Sequence, residues 1–191
     1  MAYINLIIGI TVVFLIISAF FYNLYVELIK LRNSVKSAMS GVDVQLEKRY
    51  DLIPNILTIA NRFMEHEKEL ITKITELRAQ AVSVKSIEDK INLDNQITSK
   101  MGQLIVNMEN YPQLKSDSTM LNAMQTYSEV EEHIAAARRF YNSAVTELNN
   151  KVEIFPSSVV AGFLNISSYP FFVANPEAKS AVNASDYLYK K

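Results

Sequence analysis

Apolar residues open the chain without any period. Residues 4–21 read INLIIGITVVFLIISAFF, and the first charged side chain is Glu27. A run of about 20 apolar residues rising ~1.5 Å each is long enough to cross a hydrocarbon core of roughly 30 Å. No Lys or Arg precedes the run, and Ile17-Ser18-Ala19 is a poor match to a small-x-small cleavage site, so a retained anchor is expected rather than a cleaved leader. Tyr22 and Tyr25 stand where interfacial aromatic residues mark a membrane exit.

Past the exit the pattern becomes helical. Leu24, Leu28, Leu31, Val35, Ala38 and Val42 recur at gaps of 4 and 3, which predicts a helix that leaves the bilayer unbroken and runs to about Tyr50. YDLIPN at 50–55 reads as a turn, with Asp51 as a cap and Pro54 in the first turn of a new helix, where a missing N–H is no loss. A second stripe of Ile53, Ile56, Ala60, Phe63, Leu70, Ile74, Leu77 and Ala81 predicts a helix over 54–81, with Glu67 as a charged residue at a core position. VSVKSIED at 82–89 reads as a loop or a loosened helix. Ile87, Ile91, Ile97, Met101, Leu104, Ile105 and Met108 predict a third helix that stops near Tyr111-Pro112, because the residue before proline disfavours helical ψ. KSDST at 115–119 offers Ser and Asp caps for a fourth. Its stripe runs through Met124, Tyr127, Val130, Ile134, Ala137, Tyr141, Val145, Leu148, Val152 and Phe155, up to Pro156.

The last segment has no charged residue between Glu153 and Glu177, yet Pro156, Pro170 and Pro176 interrupt it too often for a second lipid-exposed span. A short helix over 157–164 is expected, then an extended tail whose Tyr169, Phe171 and Phe172 pack on the bundle. An oligomer contact and the membrane surface are the other uses of such an apolar tail. The expected fold is therefore all-α: an N-terminal transmembrane helix continuing into an antiparallel bundle of about four long helices with coiled-coil-like spacing, then a short helix and tail. The expected division is an anchor at 1–25, a bundle at 26–156, and the C-terminal helix and tail at 157–191.

Composition narrows the chemistry. Among 191 residues there is no cysteine, which excludes disulfides, thiolate zinc sites and Cys nucleophiles. The four glycines are too scattered for a phosphate-cradling loop, and a net charge of −1 gives no nucleic-acid footprint. Neither histidine has a Glu three residues before it, Phe63 and Val130 standing there instead, so the Glu-x-x-His pairs of a di-metal carboxylate bundle are absent. Glu65 and Glu67 flank His66, and Glu129 precedes His133, but these read as solvated helix faces rather than a metal site. No GxSxG elbow is present. The mixed charges of Glu47-Lys48-Arg49-Tyr50-Asp51 suit inter-helix ion pairs better than anion binding, and Arg138-Arg139-Phe140-Tyr141 reads as a buried tyrosine beside snorkelling arginines. No catalytic, cofactor-binding or metal-ligating residue is assigned, and no enzymatic activity is expected.

Several blocks together resemble the LemA family of bacterial membrane proteins. They are YNLYVELIKLRNSVKSAMSGVDVQLEKRYDLIPNI at 22–56, HEKEL at 66–70, ENYPQLKS at 109–116, EEHIAAARRFYNSAVTELNNKVEIFPSSVVA at 131–161, and Phe171-Phe172. Met39 stands where a tryptophan is more usual in that family. The resemblance implies a membrane-tethered helical domain with no catalytic residue to carry over. A member in magnetotactic bacteria is associated with membrane compartments, which points to membrane organisation or scaffolding.

Lys30, Arg32 and Lys36 follow the apolar run, so the positive-inside rule expects the short N-terminus outside and the bundle in the cytoplasm of a single-pass protein of the cell (inner) membrane. Asn165-Ile166-Ser167 and Asn183-Ala184-Ser185 match glycosylation sequons, which carry no meaning in a bacterial cytoplasmic domain. The expected partners are the lipid bilayer, further copies of the chain through Phe163, Phe171 or Phe172, and unidentified proteins, with no nucleic acid. The expected function is a helical scaffold or interaction protein that self-assembles or docks partners at the membrane. The alternative is a metal-binding or ligand-sensing bundle.

Overall fold

A computed structural model describes residues 2–173, so the expectations for Pro176, the second sequon and the end of the tail lie outside the described residues. Among the described residues six α-helices follow one another: α1 (Ala2–Phe63), α2 (Lys68–Ser83), α3 (Ile87–Met108), α4 (Pro112–Lys115), α5 (Ser118–Glu153) and α6 (Ser157–Phe163). No strand occurs among the described residues. The fold is all-α, and its long helices are α1, α2, α3 and α5.

The described chain divides into two compact units, to which α1 and α5 both contribute. One holds residues 2–45 and 133–171, the other residues 46–132 and 172–173. In the first, Leu28, Val35, Ala38 and Val42 of α1 and Ile134, Tyr141, Val145 and Leu148 of α5 are buried, on the faces that the stripes mark. Glu27 pairs with Lys151 at 2.9 Å. In the second, the buried side chains come from the end of α1 (Ile53, Ile56, Ala60), α2 (Ile74, Leu77), α3 (Ile97, Met101, Leu104), α4 (Leu114) and the start of α5 (Tyr127, Val130).

The expected turn at 50–55 does not occur, and the predicted helix over 54–81 is replaced by a later start. α1 runs through Pro54 to Phe63, and the chain reverses at buried Met64 and a 3-10 turn (Glu65–Glu67) before α2 begins. A proline inside a helix removes one donor and costs about 3 kcal/mol, because the carbonyl four residues earlier loses its partner. That carbonyl belongs to Tyr50, and Arg78 of α2 donates to it through Nε at 2.5 Å. The acceptor that Pro54 would orphan is thus satisfied from another helix.

The remaining connections follow local chemistry. Ser86 caps α3 through the Asp89 amide, and Asn107 near the end of α3 donates to Glu67 just before α2 at 2.8 Å, which closes α2 and α3 as an antiparallel hairpin. Glu67, the charged residue of the second stripe, is therefore used as an acceptor. Pro112 opens α4, and Asp117 caps α5 by accepting from the Met120 amide at 2.9 Å. After α6, Asn165 takes a left-handed φ of 50°, with the Ile166 amide donating to Ala161 O and the Asn165 amide to Gly162 O. These are the two bonds of a Schellman cap, and Asn accepts that conformation more readily than most residues.

The tail then returns along α5. Ser168 donates to Glu153, Asn149 exchanges hydrogen bonds with the backbone of Tyr169 at 2.9 and 3.0 Å, and the Tyr141 hydroxyl donates to Pro170 O at 3.0 Å. Of the three tail aromatics expected to pack, Phe172 is buried, Tyr169 half-buried and Phe171 exposed, and Phe163 is exposed as well. Phe155, the expected end of the core stripe, is 78% exposed.

Arg78→Met leaves the Tyr50 carbonyl without its side-chain donor and should lower stability by about 1–3 kcal/mol. Adding Pro54→Ala restores a backbone donor and should recover most of that loss. Thermal unfolding followed by circular dichroism on the full chain in detergent checks both; equal losses with and without Pro54 would refute the compensation.

A buried charge cluster as the candidate functional site

Arg49 continues the first stripe at Val42, Leu46 and Arg49, so α1 directs its guanidinium into the second unit, where it is 0% exposed. Nη2 meets Asp94 of α3, itself fully buried, in a short ion pair. Nη1 donates to Thr98 Oγ1 at 3.0 Å and to Glu131 Oε1 of α5 at 3.1 Å. The Thr98 hydroxyl in turn donates a hydrogen bond to the Asp94 backbone carbonyl at 2.9 Å. Three helices therefore converge on one cation, with two carboxylates against it.

Tyr127 lies beside this cluster. Burial first, and then the negative charge of Glu131, hold its phenol well above the ordinary tyrosine range, with Arg49 pulling weakly the other way. Tyr141 in the other unit is pushed up to about 12 by burial, then by Tyr169. Both hydroxyls therefore remain neutral at physiological pH and can donate hydrogen bonds there.

The arrangement suits fixing helix register rather than reacting. A guanidinium held by two carboxylates has no group to transfer. His66 is exposed in the 3-10 turn of the second unit, and His133 is exposed on α5 in the first. Among the described residues, no three His, Asp or Glu side chains gather as a metal site would require. An open cleft of about 660 Å³ lies between α2 and α3, lined by His66, Lys73, Lys100 and Asn107 among others. Arg139 and Phe140 face outward while Tyr141 is buried, so RRFY builds core and surface as the spacing implies.

The Arg49 pairing matches the inter-helix reading of Glu47-Lys48-Arg49-Tyr50-Asp51. Its partner Asp94 was not singled out by the stripe reading. A signal exists: the third stripe jumps from Ile91 to Ile97, and Asp94 stands midway, three residues from each, on the same face. A charged residue at a core position of one helix, and another on a second, mark a pair.

The model of the LemA family matches residues 38–185, a range that contains the whole cluster. A protein of Metamycoplasma hominis described as Protein LemA is 26% identical over 178 residues, covering 91% of this chain and 81% of its own length.

Arg49→Met strands the buried Asp94 carboxylate and should cost about 3–5 kcal/mol, whereas Arg49→Met with Asp94→Leu should lose much less, because no uncompensated charge is left inside. Urea unfolding of the two variants beside the parent chain measures the difference, and similar losses in both would refute it. A second expectation concerns alkali. The Tyr141 pKa is higher in the folded chain (about 12) than its ordinary 10.0, so the unfolded state releases the proton first. The resulting stability is complete below about pH 10 and is lost as pH rises toward about 12. Tyr141→Phe should flatten the decline of unfolding temperature across that window, after a pH-independent loss of about 1 kcal/mol for the bond to Pro170. An unchanged slope would show that Tyr141 does not carry it.

Proposed function

The chain belongs to the LemA family, and on that footing we propose that it is a non-enzymatic, membrane-anchored interaction protein that associates laterally with its own copies and docks other proteins at the membrane surface. The observation that carries this reading is α1. Its residues 4–21 are predominantly apolar and exposed along their whole length, and the same helix continues without a break into the buried Leu28, Val35 and Val42. Exposing so much apolar surface to water is unfavourable at about 25 cal/mol per Å², and a bilayer removes that cost.

Lys30, Arg32 and Lys36 favour a cytoplasmic bundle in a single-pass protein with its short N-terminus outside. Anchoring confines every copy to one plane in one orientation, which raises effective concentration and lets weak contacts act. Phe171 is exposed and available for such a contact, whereas Phe172 is buried within its own chain. The absence of cysteine makes the reading convenient to test. With a photoreactive residue in place of Phe171, dimers and higher species should form in cell membranes, and deleting residues 2–24 should weaken association by on the order of 10²–10⁴. In the same cells a single Thr146→Cys should react with a membrane-impermeant maleimide only after permeabilisation. Monomers alone would leave an adaptor for unlike partners, and labelling of intact cells would reverse the orientation.

A further inference from the structure

We propose that the corner joining α5 to α6 is a second membrane contact, with Ile154, Phe155, Val159 and Phe163 seated in the interfacial layer of the leaflet that α1 leaves. The proposal rests on the reading of residues 4–21 as a membrane span.

Register places the corner at that depth. Lys151 pairs with Glu27, and the residues that follow it, Ile154, Phe155 and Pro156, line a cleft of about 320 Å³ together with Leu24 and Phe20. α5 therefore descends along α1 toward the apolar run, past the first charge. Phe20 lies seven residues, or about 10 Å of helix rise, to the membrane side of Glu27. The corner beside it thus reaches the level at which the span is still in lipid, and the Tyr22 and Tyr25 rings that mark the exit stack at 6.5 Å on the same stretch.

The faces of α6 are arranged for that surroundings. Ser157 and Ala161, one turn apart, are buried, while Val159 and Phe163, also one turn apart and on the opposite side, point outward. Phe163 is 84% and Phe155 78% exposed, and no charged residue occurs from Ile154 to Val173. A helix in water shows the reverse pattern, with its polar side out. Amphipathic segments that lie in a membrane interface sink apolar side chains about 5–10 Å into the headgroup and acyl boundary.

Many of the segment's backbone polar groups are also satisfied internally, as a place beside lipid requires. Ser157 Oγ and the Ser158 amide donate to Ile154 O, the Val159 amide to Pro156 O, and the Schellman bonds close the far end. Asn149, Tyr141 and Glu153 hold the returning tail, so both ends of the excursion are fixed to α5. A protein partner covering Phe155 would have to stand in lipid beside the span, which makes the bilayer the fitting occupant.

The test uses the cysteine-free full chain with one cysteine at a time, Phe155→Cys or Phe163→Cys, carrying an environment-sensitive nitrobenzoxadiazole dye in phosphatidylcholine–phosphatidylglycerol vesicles. Val13→Cys in the span and Thr146→Cys on the exposed side of α5 are the references. The expected result is blue-shifted emission at 155 and 163, iodide quenching several-fold weaker than at 146, and stronger quenching by lipids spin-labelled near the headgroup than by lipids labelled deep in the chain. Iodide quenching at 155 and 163 equal to that at 146, with 13 protected, overturns the proposal and leaves the anchor standing. Protection from both iodide and spin-labelled lipid means protein cover by a second copy or a partner and also overturns it. Iodide access at 13 removes the anchor itself, and the proposal with it.

Discussion

A guanidinium taken entirely out of water must be met by carboxylates within hydrogen-bond reach, and that requirement governs the second unit. Arg49 on α1 is useful there only if Asp94 on α3 and Glu131 on α5 arrive at the same level, so three helices are held in one axial register by a single cation. Apolar stripes can slide past one another by a turn and still bury their leucines; a buried charge cannot slide without being stranded. Buried ion pairs in general add little net stability over a well-packed apolar alternative, and their best-attested use is to select one register among those a periodic sequence leaves close in energy.

The Arg78 contact with the Tyr50 carbonyl belongs to the same arrangement. It lies one residue from Arg49 on α1 and lets that helix run through Pro54. Here the reading by local rules fails for a physical reason: the penalty of proline is local, but its remedy comes from a side chain 28 residues downstream. Stripes, the Asp117 cap and the prolines that close α3 and α5 were legible because each depends on residues a few positions apart, although the helices stop about three residues before the expected Tyr111-Pro112 and Pro156, at Met108 and Glu153. Asp94 was legible only as an interruption. Phe155 was misplaced because α5 ends at Glu153, and beyond that residue the helical period no longer fixes which way a side chain faces.

The LemA family model covers the residues that build the buried charge cluster. Among the described residues, Arg49 and Asp94 neutralise each other, both histidines sit at the surface, and burial raises the pKa of Tyr127 and Tyr141. In the second unit the fold fixes helix register around one cation, and in the first it sets an aromatic corner beside the apolar stretch of α1.

The pairing of Glu27 with Lys151 also orders events in time. The two residues lie about 120 positions apart, and the stretch between them includes all of α2, α3 and α4. A ribosome adding about 5–20 residues per second needs roughly 6–25 s to cover that distance. During this interval the apolar stripe of early α1 has been synthesised and its α5 counterpart has not. The hairpin of α2 and α3 can close while it waits, whereas the first unit can be completed only when the end of α5 emerges. Any chaperone, lipid headgroup layer or neighbouring nascent chain that shelters Leu28, Val35 and Val42 would act within that window, so the vulnerable species is the unfinished chain and not the mature one.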